Sequence, residues 1–232
     1  MCGIAGMIDL AGGKRKAPHG AVARMAQAIV HRGPDEDGYL DEPGFHLASR
    51  RLSIVGLADG RQPIGNEDGT VSTVFNGELY DYPEKRTALE AEGHTFRTHT
   101  DTELVPHLWE DHGEDMFERI RGQFAIALWD ERQQSLVLAR DRFGICPLFW
   151  VERDGWFIFA SEIKALLASG LVASEPDVRG IDQLFCFMSV PGPATCFKGI
   201  RSLPPGGIIR VRPGQPIEER AYWEADFPDR GQ

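Results

Sequence analysis

Short runs of β-branched and aromatic residues, separated by turn formers, fill the middle of the chain: TVSTVF (70–75), QFAIALW (123–129), SLVLAR (135–140) and WFIFAS (156–161). Such runs read as strands. Asp154-Gly155, between VER and WFIF, is a strong two-residue hairpin signal, and ERQQ (131–134) links the pair before it. Helical periodicity lies apart from these runs. AVARMAQAIV (21–30) puts Val22, Met25, Ala26 and Ile29 on one face, and PEKRTALEAEG (83–93) opens with proline and closes with glycine. TELVPHLWEDHG (102–113) carries Pro106, which calls for a kink or a late start, and SEIKALLASG (161–170) has Ser161 as N-cap and Gly170 as stop. Antiparallel strands with segregated helices give an α+β fold, helices covering the outer faces of stacked sheets, rather than a wound βαβ fold.

At 232 residues the chain can bury one sizeable core. From about Leu203 the composition shifts through LPPGG and RPGQP to a polar tail, which reads as a linker running outward. A net charge of -10, from 25 Lys+Arg against 35 Asp+Glu, repels phosphate backbones and anionic lipid, so neither nucleic acid nor membrane is an expected partner. With no long apolar run and no signal pattern, the expected compartment is the cytoplasm. The four cysteines show no CxxC spacing and read as free thiols.

Five places can carry chemistry. Cys2 stands behind Met1; as a new N-terminus it would join a thiol of pKa about 8.5 to an α-amine of pKa about 7.7–8.0, a nucleophile with its own base. A small buried apolar residue is the alternative. Asn76-Gly77 in VFNGELYDY reads as a type I′ turn, or as an oxyanion hole in which an amide and a backbone N–H donate together. In SRRLSIVGL (49–57) two arginines precede an apolar strand, either a solvated edge or a fork for a carboxylate. Asp101 in THTDTEL is a helix N-cap or a partner for a ligand ammonium. HRGPD (31–35) is a post-helix loop in which His31 is a general base or, as is commoner, makes a tethering hydrogen bond. His107 and His112 are five apart, not the four that puts two zinc ligands on one helix face, so no metal site is expected there.

The segments MCGIAG, HRGPDEDG, RRLSIVGL, QPIGNEDG, VFNGELYD, HTDTELV, RGQFAIALWD, ARDRFGICPLFW and ASEIKALL occur in an order that resembles the class II glutamine amidotransferase domain of asparagine synthetases. The resemblance runs from Cys2 to about Pro216. It implies an N-terminal-nucleophile hydrolase fold, a four-layer αββα sandwich of two antiparallel sheets, and hydrolysis of L-glutamine to L-glutamate and ammonia through a cysteinyl thioester. By matching position it makes Cys2 the nucleophile and Asn76 and Gly77 the oxyanion donors. Arg51 becomes the carboxylate partner, with Arg50 unassigned, and Asp101 the ammonium partner. Leu52, Ser53, Ile54, Val55 and Glu78 line the same pocket. Leu148-Phe149-Trp150 and Asp81 depart from the family's usual tyrosines and asparagine, away from this chemistry.

Resembled enzymes continue into an ATP-dependent synthetase domain that makes asparagine from aspartate. Its SGGxDS loop is not in these residues, so this chain is expected to need no cofactor, ATP and Mg belonging to that domain, and no metal. The expected division is an amidotransferase domain over 2–216 and a linker over 217–232 toward a synthetase domain or subunit. A homodimer is compatible with the resemblance. Fragment, split subunit and stand-alone glutaminase all fit, as do a catalytically silent domain of the same fold and an enzyme with a non-aspartate acceptor.

Overall fold

A computed structural model describes residues 1–12 and 15–227. In chain order the elements are β1 (Gly3–Asp9), α1 (Ala21–Ala28), β2 (Glu36–Glu42), β3 (Phe45–Arg51), β4 (Ile64–Gly65), β5 (Val71–Leu79), α2 (Tyr82–Glu92), α3 (Leu104–His112) and α4 (Met116–Arg119). There follow β6 (Gly122–Asp130), β7 (Ser135–Arg140), β8 (Phe149–Arg153), β9 (Trp156–Ala160), α5 (Ile163–Ala168), α6 (Val178–Phe187), β10 (Arg201–Ser202), β11 (Gly207–Val211) and β12 (Glu218–Ala221). Two six-stranded antiparallel sheets result, ordered β10-β8-β9-β1-β3-β2 and β12-β11-β7-β6-β5-β4.

Strand periodicity sorts the side chains into layers. Ile4, Ile8, Phe45 and Leu47 of the first sheet meet Val74, Ala127, Leu136 and Ile209 of the second in a core between the sheets. The outer face of the first sheet packs Ala5, Met7 and Ile158 under α1 and α5, while that of the second packs Phe75, Leu79 and Ile126 under α2, α3 and α4. This is the αββα sandwich that the family resemblance implies, and it agrees with the α+β layers read from the strands and helices. Among the described residues no helix is long and apolar enough to cross a membrane.

Hairpin chemistry holds where it was specified. Arg153 pairs with Trp156 across Asp154 (φ 52°) and Gly155 (φ 75°), the two positive angles of a type I′ turn. Pro106 falls in the first turn of α3, so the late start is the observed outcome.

Four expectations need correction. Asn76-Gly77 is no turn: both residues lie inside β5, opposite Ala125 and Phe124 of β6, because long-range pairing overrides the local dipeptide preference. Leu52 to Leu57 forms an irregular loop rather than a strand, and the two arginines end β3 instead of preceding an apolar one. Ser161 does not cap α5, whose N-cap is Glu162; its Oγ accepts the Ile4 N–H at 2.9 Å and so anchors β1. The stretch after Leu203 is not an outward linker, since β11 and β12 extend the second sheet and Tyr222 Oη donates to the Arg140 carbonyl at 3.1 Å. Residues 228–232 of the expected linker lie outside the described residues.

Candidate active site

Three strands bring Cys2 and its surroundings to one end of the space between the sheets. Gly3 pairs with Arg50, so Cys2, one residue ahead of β1, lies across from Arg51 at the end of β3. Alternation puts Cys2 in line with Ile4 and Arg51 in line with Leu47, both facing the inter-sheet core, and turns Arg50 to the opposite face, where Nη1 lies 3.3 Å from Asp37 Oδ2. In β5 the same count puts Asn76 and Glu78 with Val74 on the inter-sheet side.

Cys2 Sγ lies 3.7 Å from the Leu52 carbonyl, and the Cys2 carbonyl accepts from Arg32 Nε at 2.8 Å. Burial pushes the thiol's pKa up, against the pull of the positive chain terminus and Arg51, so the thiol is held protonated near neutrality.

Asn76 is completely buried, yet neither its Nδ2 nor its Oδ1 has a hydrogen-bond partner among the described residues. Buried amides are seldom left so, because an unmade hydrogen bond costs about 1–3 kcal/mol. The edge of β5 beside it explains the arrangement. The Phe75 N–H donates to Gln62 Oε1 and the Leu79 N–H to Asp101 Oδ2, both at 2.8 Å, so the Gly77 N–H between them points to the same side, away from β6. A Cβ on Gly77 would stand 2.0 Å from the Gln123 carbonyl oxygen, so close pairing with β6 admits glycine alone.

Arg51 is buried and multiply held: Nη1 donates to Glu36 Oε2 at 2.6 Å, Nη2 to the carbonyls of Val55 at 2.8 Å and Gly56 at 2.6 Å. The guanidinium thus fixes the 52–56 loop beside Cys2 and keeps Nε–H and one Nη1 hydrogen in reserve. A Cβ on Gly60 would lie 2.2 Å from Nη2, so that glycine makes room for it. Asp101 opens a 3-10 turn (Asp101–Glu103), but the N-cap is Thr100, whose hydroxyl accepts from the Thr102 N–H at 3.4 Å. Burial raises the Asp101 pKa despite its hydrogen bonds from Leu79 and Thr100. Glu78 is raised too, by burial first and then by Asp101. Two carboxylates that resist ionisation side by side form a place for a cation.

The residues expected from the sequence to form the site, Cys2, Arg51, Asn76, Gly77, Glu78 and Asp101, therefore gather at one end of the sandwich, with Leu52 to Val55 as the adjoining loop. Sequence reasoning missed their supports. Within HRGPDEDG, Arg32 holds the Cys2 carbonyl, Asp35 Oδ2 accepts the Ser53 N–H at 2.8 Å, and Glu36 holds Arg51. Charge density around Gly33-Pro34 was the available signal. Glu162 binds both His31 Nε2 at 2.9 Å and Arg32 Nη1 at 3.1 Å; His31 is the loop tether expected of it. Burial would raise Glu162, but the bonds from His31, Arg32 and Lys164 bring it down to about 2. Cys146, buried and pushed up to about 12 chiefly by desolvation, is an inert thiol.

Two face-to-face antiparallel sheets between helical layers, with a cysteine at the head of a central strand, define the N-terminal-nucleophile amidotransferase fold. The structure of glutamine phosphoribosylpyrophosphate amidotransferase from B. subtilis superposes with a TM-score of 0.71, covering 97% of this chain and 50% of that one, at 16% identity. A glutamine amidotransferase domain model matches residues 1–223. The chain belongs to the class II glutamine amidotransferase domain family. Asparagine synthetase [glutamine-hydrolyzing] 1 of Bacillus subtilis (strain 168) is 38% identical over 206 residues, which span 89% of this chain and 32% of that protein. Amidase chry2 of Gibberella zeae is 36% identical over 244 residues, 99% of this chain and 35% of that one. The chain thus spans about a third of the length of these curated relatives.

Proposed function

We propose that this chain is the glutaminase half of an asparagine-synthetase-like amidotransferase, hydrolysing L-glutamine to L-glutamate and ammonia with Cys2 as nucleophile. The observation that carries this is the fully buried, unpartnered Asn76 amide beside the outward Gly77 N–H, on the same inter-sheet face as Cys2.

Removal of Met1, which is 52% exposed, leaves the contacts of the Cys2 carbonyl and of β1 in place and gives Cys2 a free α-amine. That amine takes the thiol proton as Sγ attacks the side-chain amide carbon. Negative charge moves to the former carbonyl oxygen, where Asn76 Nδ2 and the Gly77 N–H donate to it. Collapse breaks the C–N bond, the amine returns its proton to the leaving ammonia, and a glutamyl thioester remains. Water adds to the thioester by the same route and releases glutamate. Asp101 and Glu78 receive the substrate ammonium; the 52–55 loop and the spare Arg51 donors receive its carboxylate.

The ammonia passes to an ATP-dependent portion, domain or subunit, since the matching synthetase is about three times this chain's length. Helix α6 offers a place to seat it: Val178 and Phe185, seven residues apart on one face, are 75% and 80% exposed, an apolar face without cover among the described residues. The alignment with a fungal amidase over 99% of this chain favours a second reading, a non-aspartate acceptor; an aspartate-dependent asparagine assay of the full-length protein separates the two.

The test is release of glutamate and ammonia from glutamine by the Met1-free protein. Turnover that disappears in Cys2→Ala supports the proposal, and turnover no higher than in Cys2→Ala overturns it.

A further inference from the structure

On the far side of the second sheet, remote in sequence from Cys2, two histidines and two carboxylates converge. Glu67 comes from the turn between β4 and β5, His94 follows Gly93 at the end of α2, and His107 and Glu110 lie one turn apart on α3. One ligand atom from each lies within 4.8 Å of all the others.

The group is not simply an ion-pair network. His107 is completely buried, and neither ring nitrogen makes a hydrogen bond: Nδ1 stands 3.2 Å from Glu67 Oε2 and Nε2 3.9 Å from Glu103 Oε1, both in unsuitable geometry. Glu110 Oε2 is buried without a partner as well. His94 places Nδ1 3.1 Å from Glu67 Oε1 and Nε2 3.1 Å from Asp111 Oδ2, and its ring centroid is 4.7 Å from that of His107. Buried polar atoms in native proteins rarely go unmatched, so an imidazole and a carboxylate oxygen aimed into one small space call for a shared partner.

We infer that Glu67, His94, His107 and Glu110 form a binding site for a divalent transition metal, Zn2+ by the chemistry of its donors. Two imidazole nitrogens and two carboxylate oxygens suit a four-coordinate zinc with bonds of about 2.0–2.2 Å, a closed and therefore structural set. His94 also has a carboxylate, Asp111, at its other nitrogen, the outer-shell arrangement that orients metal-binding imidazoles. The metal would staple the β4–β5 turn, the segment after α2 and α3 into one unit. That segment runs on to Thr100 and Asp101, and Glu103 already holds it through the N–H groups of Arg97 and Thr98, each at 2.7 Å. The sequence expectation of no metal was drawn from His107 and His112, which do not meet; the partner of His107 lies 13 residues upstream at His94.

The site is tested on tag-free protein stripped with chelator and titrated with ZnCl2 by calorimetry, with Co2+ as a spectroscopic stand-in. The expected result is saturation at one Zn2+ per chain, a higher Tm with zinc, and the visible absorption of four-coordinate Co2+. The near-isosteric Glu110→Gln, and separately His94→Ala, should each weaken zinc binding by more than the roughly 10–100-fold that loss of an outer-shell partner costs, while His112→Ala on the same helix leaves it unchanged. Absence of saturable binding at micromolar zinc in the wild-type chain overturns the inference. So does undiminished binding in the His94→Ala/Glu110→Gln double variant.

Discussion

At Asn76 a side chain that would be costly in an ordinary strand becomes intelligible once charge develops beside it. Asn76→Ala should lower kcat for glutamine by roughly 10²–10³-fold, about 2.7–4 kcal/mol of transition-state stabilisation, with little change in KM, as steady-state kinetics would show. Asp101 and Glu78 give a pH signature. Burial raises both above ordinary carboxylate values, so in the free protein each keeps its proton to higher pH than in an unfolded chain. On the proposed binding of glutamine's ammonium the two must be ionised, so KM should fall as pH rises above the usual carboxylate range, and Asp101→Asn should flatten that dependence and raise KM. The sign for folding is opposite. A raised carboxyl pKa means the native state binds the proton more tightly than the unfolded one, so this contribution to stability is lost as pH climbs through the same window, and glutamine should restore part of it. Sequence alone pointed to Cys2, Asn76 and Asp101, because each is a residue type suited to the task proposed for it. The second job of Arg51, gripping Glu36 and the 52–56 loop, was hidden because carbonyl partners leave no mark on side-chain identity.

β5 carries more of the candidate site than any other element, and beyond its short pairing with β4 its edge is managed by side chains instead of a neighbouring strand. Gln62 serves three groups: it accepts from the Phe75 N–H and from Ser49 Oγ and donates to Thr102 Oγ1, joining both sheets to the turn that bears Asp101. Gln62→Leu should cost about 1–3 kcal/mol in a urea titration by stranding the buried Phe75 N–H. It should also raise glutamine KM through Asp101. Ser161→Ala strands the Ile4 N–H in the same way and should destabilise the chain by a similar amount, with the loss felt at β1, directly behind Cys2. Element boundaries were legible where a turn imposes its own geometry, as at Asp154-Gly155, or where Gly93 ends α2 at φ 109°. They were illegible where pairing decides. β1 and β3 have too little alternation to read alone, since both faces are covered, and the Asn-Gly of β5 looks like a turn until β6 is laid against it.

In the whole molecule, the αββα layering makes one end of the inter-sheet space the meeting point of β1, β3 and β5. The order of strands in both sheets is a long-range property, which is why the sandwich followed from the succession of motifs more than from periodicity. The tail shows the converse. Pro- and Gly-rich composition suggested departure from the domain, yet Ile208, Ile209 and Val211 are buried and β11 lies against β7. Ending the chain before Gly207 should therefore expose Leu138 and Ala139 and cause aggregation on expression, visible by size-exclusion chromatography. The central claim, that Cys2 is a nucleophile armed by its own amine, is most directly tested by acid-quenching the Met1-free protein during glutamine turnover and mapping it by mass spectrometry. The account predicts a glutamyl thioester on Cys2, absent when Met1 is retained and absent in Cys2→Ala. Glutamine hydrolysis at full rate with Met1 still in place, or with the acyl group on another residue, would contradict it.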